Sequence, residues 1–218
     1  MNTPKILICM TAAAGAWLMT APASAQQAAW PTHAITLVVP FAAGGGGDTL
    51  ARLVAEPLSR ELGQSIIVEN RPGAGGNIGT SIAARANPDG YTLSYGTNGT
   101  QATNHWLYKS PGYKPNDFEP ISRFTVIAAA LVVNGADERF KTLAQLVDYA
   151  KTHPGELTCG SAGNGTSSHL ACELLNQMAG LKVMHIPYKG GGAAMTDLMG
   201  GRISVSYTHL TLPTIYSV

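Results

Sequence analysis

Short runs of aliphatic and β-branched residues alternate along this chain with stretches whose apolar positions recur every three or four residues, which predicts strands separated by helices. The first run, Ile35 to Val39, ends at Pro40 and crosses Gly44 to Gly47. A helical pattern then runs from Thr49 to Leu62, with Leu50, Leu53, Val54 and Leu58 on one face and Gly63 at the C′ position. Pro57 sits inside that pattern, where a kink is expected. Ser65 to Glu69 predicts a second strand, and Asn70 to Asn77 a glycine-rich turn into a helix that reaches about Ala86. After a turn at Asn87 to Gly90, Thr92 to Tyr95 predicts a third strand that ends in the loop Gly96 to Thr100.

A polar, proline-bearing stretch from Tyr108 to Pro120 leads into Ile121 to Val133, read as a long β-type segment that crosses between two domains. The alternation then restarts. A helix is expected over Leu143 to Thr152, a strand near Leu157 to Gly160, and a loop from Ser161 to Ser167. That loop opens a helix from about Ser168 to Met178 with Leu170, Leu174 and Leu175 facing inward. Val183 to Ile186 predicts another strand, and Pro187 to Gly192 a loop into a helix through Leu198. The class is therefore α/β with mainly parallel sheets, and such sheets bind ligands at the carboxyl ends of their strands. Four glycine-rich loops fall at such ends.

A strand, a bare-backbone loop and a helix start, in that order, leave unpaired N–H groups at the positive end of a helix dipole. No side chain keeps a ligand away, so the arrangement is an anion cradle. Two nucleotide motifs are excluded. Gly44 and Gly46 are followed by Thr49 where a dinucleotide fingerprint needs its third glycine, and no Gly-Lys-Ser/Thr follows for a P-loop. The alternative is an exported α/β hydrolase using Ser167 and His169. No Gly-x-Ser-x-Gly elbow occurs there, and adjacent Ser168 and His169 point about 100° apart on a helix. Hydroxyls at a helix start read as caps, and Asp48 as an acid complementing its helix dipole. Polar groups that converge without a nucleophile and base favour binding over catalysis.

Composition adds three constraints. Residues 1–25 have the form of a cleavable signal peptide: Lys5, an apolar run from Ile6 to Met19, and Ala23-Ser24-Ala25 before the cleavage point. Removing them takes away Lys5 and leaves 13 basic and 13 acidic side chains, so the net charge is zero and no nucleic-acid partner is expected. Cys159 and Cys172 remain in an exported, oxidising setting, but their spacing leaves pairing open. No metal-type spacing occurs, and no cofactor is expected.

Five ordered motifs carry a family resemblance: Pro40-Phe41-Ala42-Ala43-Gly44-Gly45-Gly46-Gly47-Asp48; Val68-Glu69-Asn70-Arg71-Pro72-Gly73-Ala74-Gly75-Gly76; Pro88-Asp89-Gly90-Tyr91-Thr92-Leu93; Gly160-Ser161-Ala162-Gly163-Asn164-Gly165-Thr166-Ser167-Ser168-His169-Leu170; and Pro187-Tyr188-Lys189-Gly190. From about Trp30 to Ile203 the chain resembles the Bug-type (TctC) extracytoplasmic solute receptors of tripartite tricarboxylate transporters. The resemblance implies a periplasmic, monomeric, non-enzymatic binding protein. It would close like a flytrap on a small carboxylate and deliver it to a membrane permease. Ligand contacts carried over by position fall on Phe41, Ala43, Gly44, Gly45 and Asp48, on Thr97 and Asn98, on Ser161, Gly163, Asn164, Thr166, Ser167 and His169, and on Tyr188 and Lys189. Relatives commonly place a hydroxyl residue where this chain has Gly47. The domains implied are 26–122 and a partial second domain, 123–203. Residues 204–218 depart from the family pattern and read as a foreign tail, which leaves the second domain incomplete.

Overall fold

The computed structural model describes residues 30–208 except 124 and 127. The expected signal peptide and residues 209–218 of the expected tail lie outside the described residues. Two sheets carry the fold, each with helices packed on it. In chain order the first contains β1 (Ile35–Val39), α1 (Gly46–Leu62), β2 (Ile66–Asn70), α2 (Asn77–Ala84), β3 (Thr92–Ser94) and the short α3 (Asn104–Leu107). The second contains β4 (Ala130–Val133), α4 (Leu143–Thr152), β5 (Thr158–Ser161), α5 (Ser167–Ala179), β6 (Met184–Pro187), α6 (Gly191–Met199) and β7 (Val205–Thr208).

The first sheet has the order β2-β1-β3 and is parallel throughout, with Leu37 opposite Val68 and Leu93. Its central strand is buried on both faces, as an unbroken Ile-Thr-Leu-Val-Val run requires. The second has the order β4-β7-β5-β6, parallel except for the antiparallel pair β4 and β7. Val205 is 1% exposed. The first part of the segment expected to be foreign therefore occupies a central strand.

The second sheet's core is Phe140, Leu146, Leu157, Cys159, Cys172, Leu181, Val183 and Val205. A Cys159–Cys172 disulfide ties β5 to α5, with a Cα–Cα distance of 6.3 Å. The spacing of the two cysteines left that pairing open, and the fold closes it.

Three expectations need correction. Leu170 and Leu174 do not face inward: they are 42% and 54% exposed. The covered stripe of α5 is Ser168, Cys172, Leu175 and Ala179, at i, i+4, i+7 and i+11, because the disulfide and the Ser168 hydroxyl set the helix's rotation. Leu53 likewise points away from the stripe Asp48, Ala51 and Ala55 of α1. The β-type run from Ile121 forms a strand only from Ala130 to Val133. Ile121 and Val126 are 80% and 78% exposed, and no sheet partner pairs residues 121–129 among the described residues.

Candidate functional site

The loops after β1 and β2, and the turn after β3, stand against the loops after β5 and β6. Gly45, the N-cap of α1, is buried so close to the start of α6 that a Cβ on it would lie 3.8 Å from the Gly192 nitrogen. Nearby, Ala42 N–H donates to the Lys189 carbonyl at 3.2 Å. A Cβ on Gly75 would strike the Asn164 carbonyl, and one on Gly99 would lie 2.9 Å from the Gly165 carbonyl. Tyr108 adds a side-chain bond across the same seam, its hydroxyl donating to the Asn164 carbonyl at 3.1 Å. Backbone approaches backbone here because Gly45, Gly75 and Gly99 present no Cβ.

The starts of α1, α2, α5 and α6 all lie at these loops. Each brings the positive end of a helix dipole, worth about 0.3–1 kcal/mol per anion near each terminus. The arrangement can hold a carboxylate by backbone alone.

The first loop is fixed by one charged side chain. Asp48, 5% exposed, accepts from Gly44 N–H at 2.9 Å, from Arg52 Nε at 3.0 Å and from Asn70 Nδ2 at 3.0 Å. Burial alone would push its carboxyl up, but Arg52, Gly44 and Asn70 outweigh burial and hold it below the usual carboxylate range. Asn70 also donates to the Phe41 carbonyl at 3.1 Å, so β2 anchors both ends of the loop. The Phe41 ring fills the space over Gly47, where a Cβ would touch it at 3.4 Å together with Tyr95. Ala43 and Gly44 are exposed.

Under the next two loops lies a buried amide network. Asn104 Nδ2 donates to the Gly75 carbonyl at 3.1 Å and to Asn77 Oδ1 at 2.7 Å, and the Tyr113 hydroxyl donates to the Thr100 carbonyl at 2.5 Å. Thr97 closes a turn on Thr100, its N–H donating to the Thr100 hydroxyl at 3.0 Å, with Asn98 exposed beside it. The expected open loop 96–100 is therefore partly a π-helical turn, Gly99–Thr103, leading into α3.

The loop after β5 is held by neutral groups. Ser161, 0% exposed, accepts from Gly163 N–H at 3.1 Å and lies 2.6 Å from His185 Nε2. Ala162 N–H donates to the Ser168 hydroxyl at 3.0 Å, Gly165 N–H to His169 Nδ1 at 3.1 Å, and Thr166 Oγ1 to the Gly163 carbonyl at 2.6 Å. Thr166 is the N-cap residue of α5 by position, yet its hydroxyl turns back into the loop rather than capping the helix. Gly163 lies against Gly75, while Asn164 and Ser167 are exposed.

The hydrolase reading finds no pair at Ser167 and His169. The ring's Nδ1 is engaged by Gly165 N–H, and its Nε2 faces Glu173 at 3.9 Å. Tyr188 is also drawn elsewhere: its hydroxyl donates to Asp197 at 2.7 Å, and burial with that carboxylate pushes it up to about 12. Lys189 is exposed and contributes its carbonyl to the seam. Gly75, Gly99, Tyr108, His185 and Gly192 were not singled out as site residues from sequence. The glycines had a composition signal, whereas a tyrosine in a polar stretch and a histidine inside a strand have none.

Comparison with known proteins places these features in context. Residues 50–217 match the family described as tripartite tricarboxylate transporter family receptor. A protein of Agrobacterium vitis, the UPF0065 protein in the TAR-I ttuE-ttuC' intergenic region, is 41% identical over 215 residues, covering 98% of this chain and 60% of that one. Two solved structures are similar. R. palustris Rpa4515 with adipate has 40% identity and a TM-score of 0.75, covering 83% of this chain and 60% of its own. MatC (Rpa3494) from Rhodopseudomonas palustris with bound malate has 34% identity and a TM-score of 0.77, covering 82% and 60%. The chain thus spans about 60% of the length of these relatives.

Proposed function

This chain belongs to the tripartite tricarboxylate transporter receptor family, and we propose that it forms the ligand-binding part of a periplasmic receptor that captures a small dicarboxylate between its two sheets. The observation that carries this reading is the meeting of four helix starts across a glycine-lined seam. Two facing cradles suit a ligand with an anionic group at each end, and the adipate and malate held by the two solved relatives support that class.

In this reading Gly44, Gly45 and Ala43 present backbone to one carboxylate, with Phe41 as an apolar wall. Gly163, Asn164 and Ser167 form the facing side, with Thr166 and His169 bonded within the loop and contributing to its shape, and Thr97 and Asn98 close the edge. Asp48, Ser161 and Tyr188 shape the cradles from behind, because their polar atoms are already bonded within the protein. Lys189 lies at the rim. The receptor acts as a monomer without a cofactor and hands its ligand to a membrane permease.

Isothermal titration with malate, adipate and a monocarboxylate of similar size tests the reading. Saturable 1:1 binding of a dicarboxylate without turnover is expected. Turnover abolished by Ser167→Ala would overturn it, as would equal affinity for the monocarboxylate.

A further inference from the structure

His185 stands opposite the disulfide-linked Cys159 in the β5–β6 register, and Cys172 follows His169 by three residues on α5. The disulfide therefore staples together the two elements that face β6. The two imidazoles lie against each other, centroids 4.0 Å apart and tilted by 32°. His185 Nε2 reaches the Ser161 hydroxyl at 2.6 Å, and His169 Nδ1 holds Gly165 N–H. Three loop N–H groups, at 162, 163 and 165, thus end on side chains within or beside this stack.

We propose that His185 is the positioning residue of the second cradle: as a neutral acceptor it fixes the Ser161 hydroxyl, and through it the loop 161–168 that faces the ligand. The proposal rests on the receptor reading for its functional meaning, though not for its geometry. Ser161 Oγ already accepts Gly163 N–H, so its own hydrogen is directed to the nearer acceptor, His185 Nε2, rather than to the Gly163 carbonyl at 3.3 Å. An apolar residue at 185 would send that hydrogen to the Gly163 carbonyl, which Thr166 already engages. Protonating His185 would do the same, because Nε2 would then have to donate.

Burial and the groups facing His185 together favour its neutral form. From α5 these are His169, which disfavours a charge, and Glu173, which favours one; from β5 they are Ser161 and the disulfide-bonded Cys159, neither of which carries a charge. Burial is the larger effect, and with His169 it holds His185 down to about 4.

The test uses the whole chain and two variants, His185→Gln, whose amide oxygen can accept from Ser161, and His185→Leu, which fills space without an acceptor. Malate and adipate are the titration probes at pH 7.5. The Gln variant is expected to stay within about threefold of the parent and the Leu variant to lose about tenfold, in line with one lost buried hydrogen bond. Equal affinity for parent and Leu variant would overturn the proposal.

A ligand-free measurement stands beside it. The backbone amide signal of Gly163, which ends on the Ser161 hydroxyl, should move with the midpoint of the His185 ring as pH falls toward 4, and that component should vanish in the Gln variant. A Gly163 amide that ignores the ring's titration, or that keeps the same movement without it, would overturn the proposal. Should the parent bind neither probe, the receptor reading fails and the amide titration alone decides the role of His185.

Discussion

The cradle after β1 and the cradle after β5 do the same task by opposite means. The first hangs on one buried carboxylate, which gathers Gly44, Arg52 and Asn70 from a loop, a helix and a neighbouring strand. The second has no buried charge and is held by hydroxyls, two imidazoles and a disulfide. A charged hub is economical in residues but depends on three donors at once. A neutral network spreads the constraint over more side chains and leaves the loop 161–168 without a charged side chain.

The comparison can be broken most severely where the two cradles touch. Gly165→Ala puts a Cβ into Asn104 Oδ1 at a residue with φ of +82°, and is expected to cost about 4 kcal/mol, strain and overpacking combined, in a urea denaturation series. Replacing both Cys159 and Cys172 with alanine should cost about 3 kcal/mol through the freed loop. Chemical reduction of the parent should reproduce the loss, and its failure to do so would place the stabilising effect elsewhere. Asp48→Ala, which strands Gly44 N–H and loosens Arg52 and Asn70, should cost about 2 kcal/mol and leave amide exchange in the second cradle unchanged.

Acid separates the cradles by the pH at which each loses its contribution. His185 is held low, so the unfolded chain takes up its proton first. That contribution to stability is lost as pH falls from about 6.5 to about 4. Asp48 is also held low, so its contribution is complete above 3.8 and disappears only as pH falls below that value. Protection against hydrogen exchange, relative to the unstructured chain at each pH, should therefore fall in the β5–α5 region before the β1–α1 region; the reverse order would contradict these assignments. The smallest effect is expected from Tyr108→Phe, which removes one hydroxyl bond across the seam and should cost about 1 kcal/mol or less.

Elements whose pattern is local were legible in the sequence. Ile35–Val39 and Leu143–Thr152 form where their periodicities place them, and Gly63 ends α1 in the left-handed conformation expected of a C′ glycine. The rotation of α5 was not legible, because its covered stripe is decided by a disulfide partner eight residues before the helix starts and by a hydroxyl bond, not by its leucines. The run from Ile121 to Ala129 has strand composition but no pairing partner among the described residues, and composition alone does not make a strand. In the candidate site the glycine loops announced themselves. The residues that shape them from behind did not: the role of His185 arises only from register, which sets it across from β5 and under α5.

The strand β7 is the last described element and yet the middle of its sheet, with β4 on one side and β5 on the other. A chain folding from its amino end thus leaves the edges of β4 (Ala130–Val133) and β5 (Thr158–Ser161), about 30 residues apart at their widest, with nothing to join them until residues 205–208 are in place. The second sheet cannot assemble piecemeal in that order. Its β4 edge must wait, and closing that edge is the late, long-range step by which this half reaches its form.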